Sequence, residues 1–403
     1  MHVDFMRIVD RHMGVPLCYC FSIIYSIIRF FKIKQENRID KILFIQLSEM
    51  GSAVSLAPSI MYLKKNHPRT EIYYLMFKEI LEIVEVMGIV DCKNLFTIRS
   101  RSFLLMCTDT LKVVWQLRRK RIDVIIDIEL FSRFSALLSY LIGANDVIGF
   151  NKFHMEGLYK GNFQTKKVLY NHTRHIAFNF LACVHAIDAS RDEVPLLKRN
   201  FELKNFYPPP ISSDRESKNK MIERIKLINP DFDEDKKIII LNPNASKLLP
   251  LRRWPLKNYS ELAKNLIRYT SGYVIITGTK EEQKDTKIIY DEVGDKRCID
   301  FAGKTTLKEL IDLYNIADVL VSNDSGPPNF AAHTSIKIIV LFGPETPLCY
   351  TPLSKNVTVM YADFMCSPCV SAYNHRKSAC LDNKCMQAIT VENVYKEVIK
   401  AIS

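Results

Sequence analysis

The 403-residue chain has no arginine-rich tract and no nucleic-acid-binding motif, so its net charge of +12 does not point to nucleic acid. That charge suits phosphate-bearing ligands or an anionic membrane surface instead. A disulfide framework is missing too. The 11 cysteines are odd in number and scattered, with two in an apolar run, which indicates a reducing compartment. No small-residue cleavage site follows the apolar N-terminal run, which argues against a secretory signal, and no short-period repeat occurs. Hydrophobic content of 48% and charged content of 25% are those of a globular protein. The length exceeds what one core serves, so two domains are expected.

What is present begins with Val15–Phe31 (VPLCYCFSIIYSIIRFF), apolar apart from Ser22, Ser26 and Arg29. As a helix it spans about 25 Å, short of the roughly 30 Å hydrocarbon core of a bilayer. Arg29, Lys32, Lys34, Arg38 and Lys41 follow it, and the basic flank of such a segment stays cytoplasmic. Residues 1–36 therefore read as a membrane-embedded or interfacial anchor at the cytoplasmic face of the inner membrane. The alternative is a buried helix of the soluble body. Cys18 and Cys20 are candidates for acylation.

Strands and helices then alternate. Lys41–Leu47, Glu71–Met76 and Ile122–Ile128 read as strands, Phe103–Leu117 and Arg133–Ile142 as helices, with a helix reaching Asn66 that bends near Pro58. Residues 205–220 (NFYPPPISSDRESKNK) form a proline-rich, charged linker. The pattern restarts with strands Ile238–Leu241, Tyr273–Thr277, Val319–Ser322 and Ile338–Leu341, and with helices near Tyr259–Tyr269, Glu282–Glu292 and Leu307–Ile316. Alternation of this kind implies parallel sheets with right-handed crossovers. The fold class is α/β, with an N-terminal domain over 37–204, a second over 221–386 and a terminal helix within 387–403.

The most informative stretch is VLVSNDSGPPNFAAHTSIKIIVLFGPETP, Val319–Pro347. It reads as strand, polar turn, short helix, strand and a second Gly-Pro turn, and such turns at strand carboxyl ends are where open α/β sheets hold ligands. D-S-G-P before an Ala-rich helix, then F-G-P-x-x-P, resembles the nucleotide-sugar site of glycosyltransferase family 9, which contains the lipopolysaccharide heptosyltransferases. KILFIQLSEMGSAVSLAPSIMYLKKNHP (Lys41–Pro68) and LNPNASKLLPLRRWPLKNYSEL (Leu241–Leu262) carry the same resemblance. It implies the GT-B fold, two Rossmann-like domains with parallel sheets facing across a cleft. The function implied is inverting transfer of a sugar from a nucleotide-sugar, ADP-heptose or related, to a lipopolysaccharide-type or lipid-linked acceptor.

The second domain would hold the donor. Asn244 and Ser246 follow a buried strand, and Lys247, Arg252 and Arg253 supply cations for a diphosphate leaving group. The resemblance places Arg252, two positions before Trp254, on the donor phosphates, and Glu282 of Gly278–Glu282 on the ribose. Asp324, Ser325 and Gly326 would meet the donor sugar and phosphates, and glycine there permits close backbone approach. Asn329 stands where similar heptosyltransferases carry His. In the first domain the family's base is the Asp after Met-Gly, and this chain reads Met50-Gly51-Ser52. Ser52 has no useful basicity alone, so Glu49 in the same loop is the substitute base favoured here, and the alternatives are a carboxylate such as Asp127 or Glu129 reaching in, or no catalysis of this step. Asp127 and Glu129 end a strand and read as acceptor-side candidates or as a solvated loop or structural salt bridge, with Arg133 and His154 as weaker candidates. His172 and His175 read as structural.

Cys366, Cys369, Cys380 and Cys385, with His375 between, can close a structural zinc site, although the spacing is shorter than a zinc ribbon's. Free or redox-labile thiols and disulfides are the alternatives. No cofactor is expected for catalysis, because GT-B enzymes neutralise the leaving diphosphate with cations and helix N-termini. Two rival readings use the same residues: a nucleotide-sugar epimerase of GT-B fold, and a degenerate protein that binds a nucleotide-sugar or glycolipid without turnover, for which Ser52 is the best argument.

Overall fold

The computed structural model describes residues 3–31, 38–151, 159–190, 192–201, 207–245, 249–371, 374 and 376–403. The chain forms two compact units, Met1–Phe206 and Tyr207–Ser403.

In order, the first unit contains α1 (Val3–His12), α2 (Gly14–Phe31), β1 (Lys41–Ile45), α3 (Met50–Asn66), β2 (Glu71–Phe77), α4 (Leu81–Met87), β3 (Leu95–Ile98), α5 (Phe103–Lys120), β4 (Val124–Asp127), α6 (Arg133–Ile142), β5 (Asp146–Phe150), β6 (Lys166–Val168) and α7 (Ile176–His185). Its six strands are parallel in the order β3-β2-β1-β4-β5-β6, with Ile45 registered against Leu75 on one side and Asp127 on the other. The central strands are buried on both faces, which explains their unbroken apolar runs. One core joins Leu43, Ile45, Leu75 and Ile125 to Val113, Leu117 and Leu138 of α5 and α6. Pro58 sits within an uninterrupted α3.

The second unit contains α8 (Arg215–Ile228), β7 (Ile238–Asn242), α9 (Leu256–Tyr269), β8 (Tyr273–Ile276), α10 (Gln283–Val293), β9 (Cys298–Asp300), α11 (Leu307–Ile316), β10 (Val319–Asn323), α12 (Gly326–Ala331), β11 (Lys337–Phe342), α13 (Pro347–Tyr350), β12 (Val357–Tyr361), α14 (Lys384–Gln387) and α15 (Val391–Ile402). Its strand order is β12-β11-β10-β7-β8-β9, again all parallel. Trp254, Tyr259 and Leu262 fill its core, joined by Val394 and Val398 of α15, so the terminal helix is an integral layer of this unit.

Two boundaries differ from the sequence reading. The charged half of the 205–220 linker is the start of α8: Asp214 caps it by accepting the Ser217 N–H at 2.7 Å, and Met221 and Ile225 bury one face. Residues 202–206 lie outside the described residues. The N-terminal apolar segment is docked on the first unit. Cys18 and Phe163 pack with Ala136, and Phe21 and Tyr25 lie against Tyr140. Ser22 accepts the Asn162 N–H at 2.9 Å.

Candidate functional site

In each sheet the strand order reverses beside the first strand of the unit, at β1/β4 and at β7/β10. Open α/β sheets bind ligands outside the strand carboxyl ends at that reversal.

In the second unit the loops after β7, β8 and β10 meet there. Asn323, at the end of β10, organises them: its Oδ1 accepts the Trp254 N–H at 2.9 Å, and its Nδ2 donates to the Pro243 carbonyl at 2.8 Å. Trp254 anchors the other way, donating from Nε1 to the Ile389 carbonyl at 2.8 Å. This scaffold holds Arg252, whose Nη1 lies 3.4 Å from Asp324 Oδ2, both side chains largely buried. Burial raises the Asp324 pKa, and Arg252 opposes that rise. Arg253 takes a different role, donating to the Ala245 carbonyl and pairing with Asp285 at 3.0 Å.

Asn244 is 2% exposed, and among the described residues neither its amide nitrogen nor its side-chain oxygen has a hydrogen-bond partner; Arg252 Nε likewise has none among them. Buried polar groups are ordinarily satisfied, so two such groups in one loop mark a place prepared for a polar ligand. Gly278 leaves room beside them: a Cβ there would come 3.0 Å from Asn244 Nδ2. Glu282 sits at the same point, but its Oε2 accepts the Thr279 N–H at 2.7 Å in a capping box. It thus stiffens the β8 loop. Ser325 donates to the Asn323 carbonyl, and Asn329 donates to the Ser325 carbonyl at 2.9 Å, closing the loop onto α12 whose first residue is Gly326. Ser246 and Lys247 lie outside the described residues. The run Asp231-Phe232-Asp233 precedes β7, on the amino-end side of the strands, where Asp231 pairs with Lys296.

In the first unit the reversal is framed by the β1 and β4 loops. Glu49 caps α3 with φ 69°, and Ser52 donates to its Oε2 at 3.0 Å. Glu129 reaches across from β4: Oε1 accepts the N–H groups of Leu47 at 2.6 Å and Ser48 at 3.2 Å, fixing the loop that carries Glu49. Burial, and then the Glu49 charge, push the Glu129 pKa up to about 7. Gln46 fixes the same loop from within, accepting from buried Tyr74 at 2.7 Å.

Two of the acceptor-side candidates are held in buried ion pairs. Asp127 is 1% exposed and is held by Lys160 at 2.6 Å and Ser135 at 3.0 Å. Arg133 is also buried, bonded to Asp10 of α1 at 3.0 Å. Asp127, the last residue of β4, is thus tied to α6 and to the β5–β6 loop, and Arg133, the first residue of α6, is tied to α1. Lys160 and Asp10 escaped sequence reasoning because each is far along the chain from its partner and in no motif. His175 caps α7 through its ring, and His154 is outside the described residues.

Cys366, Cys369, Cys380 and Cys385 line one small cavity with Leu251 and Asn383. All eleven cysteines are free thiols. Cys369 Sγ accepts from Ser378 at 3.1 Å, and burial raises the Cys385 pKa. Among the described residues no three His, Cys, Asp or Glu side chains stand close enough to hold an ion, so a zinc site is not pre-formed in this conformation; His375 is outside them. Cys18 is fully buried, and burial pushes its pKa up to about 11.

Two α/β units, each built on a six-stranded parallel sheet, are the elements of the GT-B fold. A model of glycosyltransferase family 9 (heptosyltransferase) matches residues 110–379, and the chain belongs to that family. It is similar to lipooligosaccharide heptosyltransferase 2 of Haemophilus influenzae, 34% identical over 115 residues, 28% of this chain and 33% of that protein. Lipopolysaccharide heptosyltransferase 1 of Campylobacter coli is 21% identical over 79% of this chain and 87% of its own. The first-ranked curated relatives are thus matched over roughly a third to a half of their length. Among solved structures, the ADP-heptose lipopolysaccharide heptosyltransferase II of E. coli superposes with a TM-score of 0.69 at 19% identity, over 90% of this chain and 98% of that one, which establishes the shared fold.

Proposed function

We propose that the protein is an inverting glycosyltransferase that moves a sugar from a nucleotide-sugar, ADP-heptose or a related donor, to a lipopolysaccharide-type or lipid-linked acceptor at the cytoplasmic face of the inner membrane. The observation that carries this is the β7/β10 reversal, where unpartnered buried Asn244 and the partly neutralised Arg252 share one loop. Arg252 offsets charge on the departing diphosphate, and Asn244 reads the polar edge of the donor. Heptose as the sugar is supported by the relatives, which are heptosyltransferases.

In the first unit, Glu49 takes the acceptor proton. Ser52 and Glu129 hold it in place, since the family's Asp is absent and Asp127 is committed to Lys160. No catalytic metal enters this reading. Cys366, Cys369, Cys380 and Cys385 are read as ligands of a structural zinc, completed when their side chains turn into the cavity they line.

The test is thermal stabilisation of the purified protein by ADP-, UDP-, GDP- and CMP-sugars, followed by sugar transfer with the stabilising donor. One clear stabiliser, weakened about ten- to a hundredfold in Arg252→Gln as expected for loss of a charge-assisted contact, supports the reading. Stabilisation by none of them, in protein shown to be folded, sinks it.

A further inference from the structure

The apolar N-terminal helix α2 is mostly exposed, with Gly14, Cys18 and Ser22 buried, and its exposed face is not isolated. Helices α2, α6 and α5 lie side by side over one face of the first sheet, α6 in the middle. They run the same way: Gly14 of α2 abuts Arg133 at the start of α6, and Tyr25 stacks edge-on against Tyr140 near its end. Arg118, at the end of α5, reaches the end of α6 beside Gly143.

Each outer helix turns an apolar stripe away from the sheet. On α2, Cys18, Ser22 and Tyr25 face the body, while Ile23 and Ile27, on the opposite side, are 49% and 57% exposed. On α5, Val113 and Leu117 face the core, while Leu104, Leu111 and Trp115 are 71%, 71% and 54% exposed. Surface stripes of this size on neighbouring helices are unusual for a protein surrounded by water alone. At the shared end of the helices stand Arg118, Arg119, Lys120 and Arg121, all exposed, with Arg119 folded over the Trp115 ring at 3.7 Å. Lys41 adjoins them, donating to the Lys120 carbonyl at 2.9 Å.

We propose that this helical layer is a membrane-docking face, on which the protein lies with α2 and α5 in the plane of an anionic bilayer surface. The stretch Ile8–Ile28 is long and apolar enough to cross a membrane by length and composition. Crossing would strip Cys18, Ser22 and Tyr25 from Phe163, Asn162 and Tyr140, leaving the Asn162 N–H without its acceptor. An in-plane helix keeps those contacts and sinks only its outer stripe into the headgroup boundary, while the basic cluster meets anionic lipid. The inference deepens the proposed membrane location and rests on it; it assigns α5, which the sequence alone reads as an ordinary amphipathic helix, to the same surface.

The test is co-sedimentation of the full chain with vesicles of phosphatidylcholine alone and of phosphatidylcholine with phosphatidylglycerol. Binding is expected to the anionic vesicles, weakened by salt, with a blue shift of emission from Trp115, because the other tryptophan, Trp254, is already fully buried. Ile23→Asp/Ile27→Asp and, separately, Leu104→Asp/Leu111→Asp are each expected to weaken binding by about tenfold or more, as for loss of two membrane-inserted apolar side chains. These positions are exposed, and unchanged far-UV circular dichroism and unchanged stabilisation by nucleotide-sugar confirm that fold and donor site survive. Wild-type binding by the α5 variant overturns the proposal. So does native protein that resists alkaline carbonate extraction, which indicates a spanning helix. A lipid-free dimer abolished by Leu104→Asp/Leu111→Asp overturns it too, since the face then belongs to a second copy.

Discussion

Lys160 Nζ lies 2.6 Å from Asp127 Oδ2, with each side chain only 1% exposed. This pair, reinforced by Ser135, seals the end of β4 and connects it to the loop after β5. Removing one member leaves the other charge buried alone, so Lys160→Met is expected to destabilise the protein by about 3–5 kcal/mol. The double variant Lys160→Met/Asp127→Leu should recover much of that loss. Urea unfolding of the three proteins measures both, and equal loss in single and double variants would refute the coupling.

Glu129 makes stability depend on pH in a definite direction. Its pKa is raised from 4.5 to about 7, so between those values the folded chain holds a proton that the unfolded chain has released. Stability is therefore fully favoured by this group below about 4.5 and declines as pH rises toward 7. The side chain keeps partial solvent contact, and the size is on the order of 1 kcal/mol. Glu129→Gln should flatten that slope relative to the wild type in melts taken across the window. An unchanged slope would show that Glu129 titrates normally.

The assignment of Glu49 as base predicts that Glu49→Gln lowers the transfer rate by about two to four orders of magnitude. Donor affinity should stay within error, because the residue belongs to the first unit and the donor loops to the second. Ser52→Ala, which removes only the hydrogen bond to Glu49, should fall well short of that loss. If Glu49→Gln turns over at the wild-type rate, the base lies elsewhere.

For the cysteines the expectation is one zinc per chain by elemental analysis of protein purified without added metal. Cys369→Ser and Cys385→Ser should each lose the metal and lower the melting temperature, since a structural zinc contributes directly to folding. Metal-free wild type with the same melting temperature would leave four reduced thiols around an empty cavity.

Much of this architecture is legible in the sequence wherever local pattern and burial agree. Strands β1, β7 and β10 are long apolar runs, α6, α11 and α15 show clear periodicity, and each is placed as read to within a residue or two. Short edge strands such as β6 and β9, three residues each, carry too little pattern to be seen. Linker and helix were confused at Arg215–Lys220 because an exposed, charged helix start has the composition of a disordered segment. At the site, motif residues Arg252 and Asp324 meet because loops at strand ends inherit their position from the sheet. The structural ion pairs of Asp127 and Arg133 are hidden for the opposite reason. Their partners, Lys160 and Asp10, are supplied by tertiary contacts that no local signal announces.

The left-handed backbone at Glu49 sets two demands on one residue against each other. A side chain other than glycine in that region costs about 1–2 kcal/mol, so glycine would be the more comfortable occupant of the turn. Glycine has no carboxylate. A search for more stable variants of this protein would therefore be drawn to position 49 and would erase the proposed base in the process, while a search for activity would retain the strain. The neighbouring Gly51 can relax no part of this conflict, since it already lies inside α3. Robustness and turnover are thus in direct competition at a single dihedral angle.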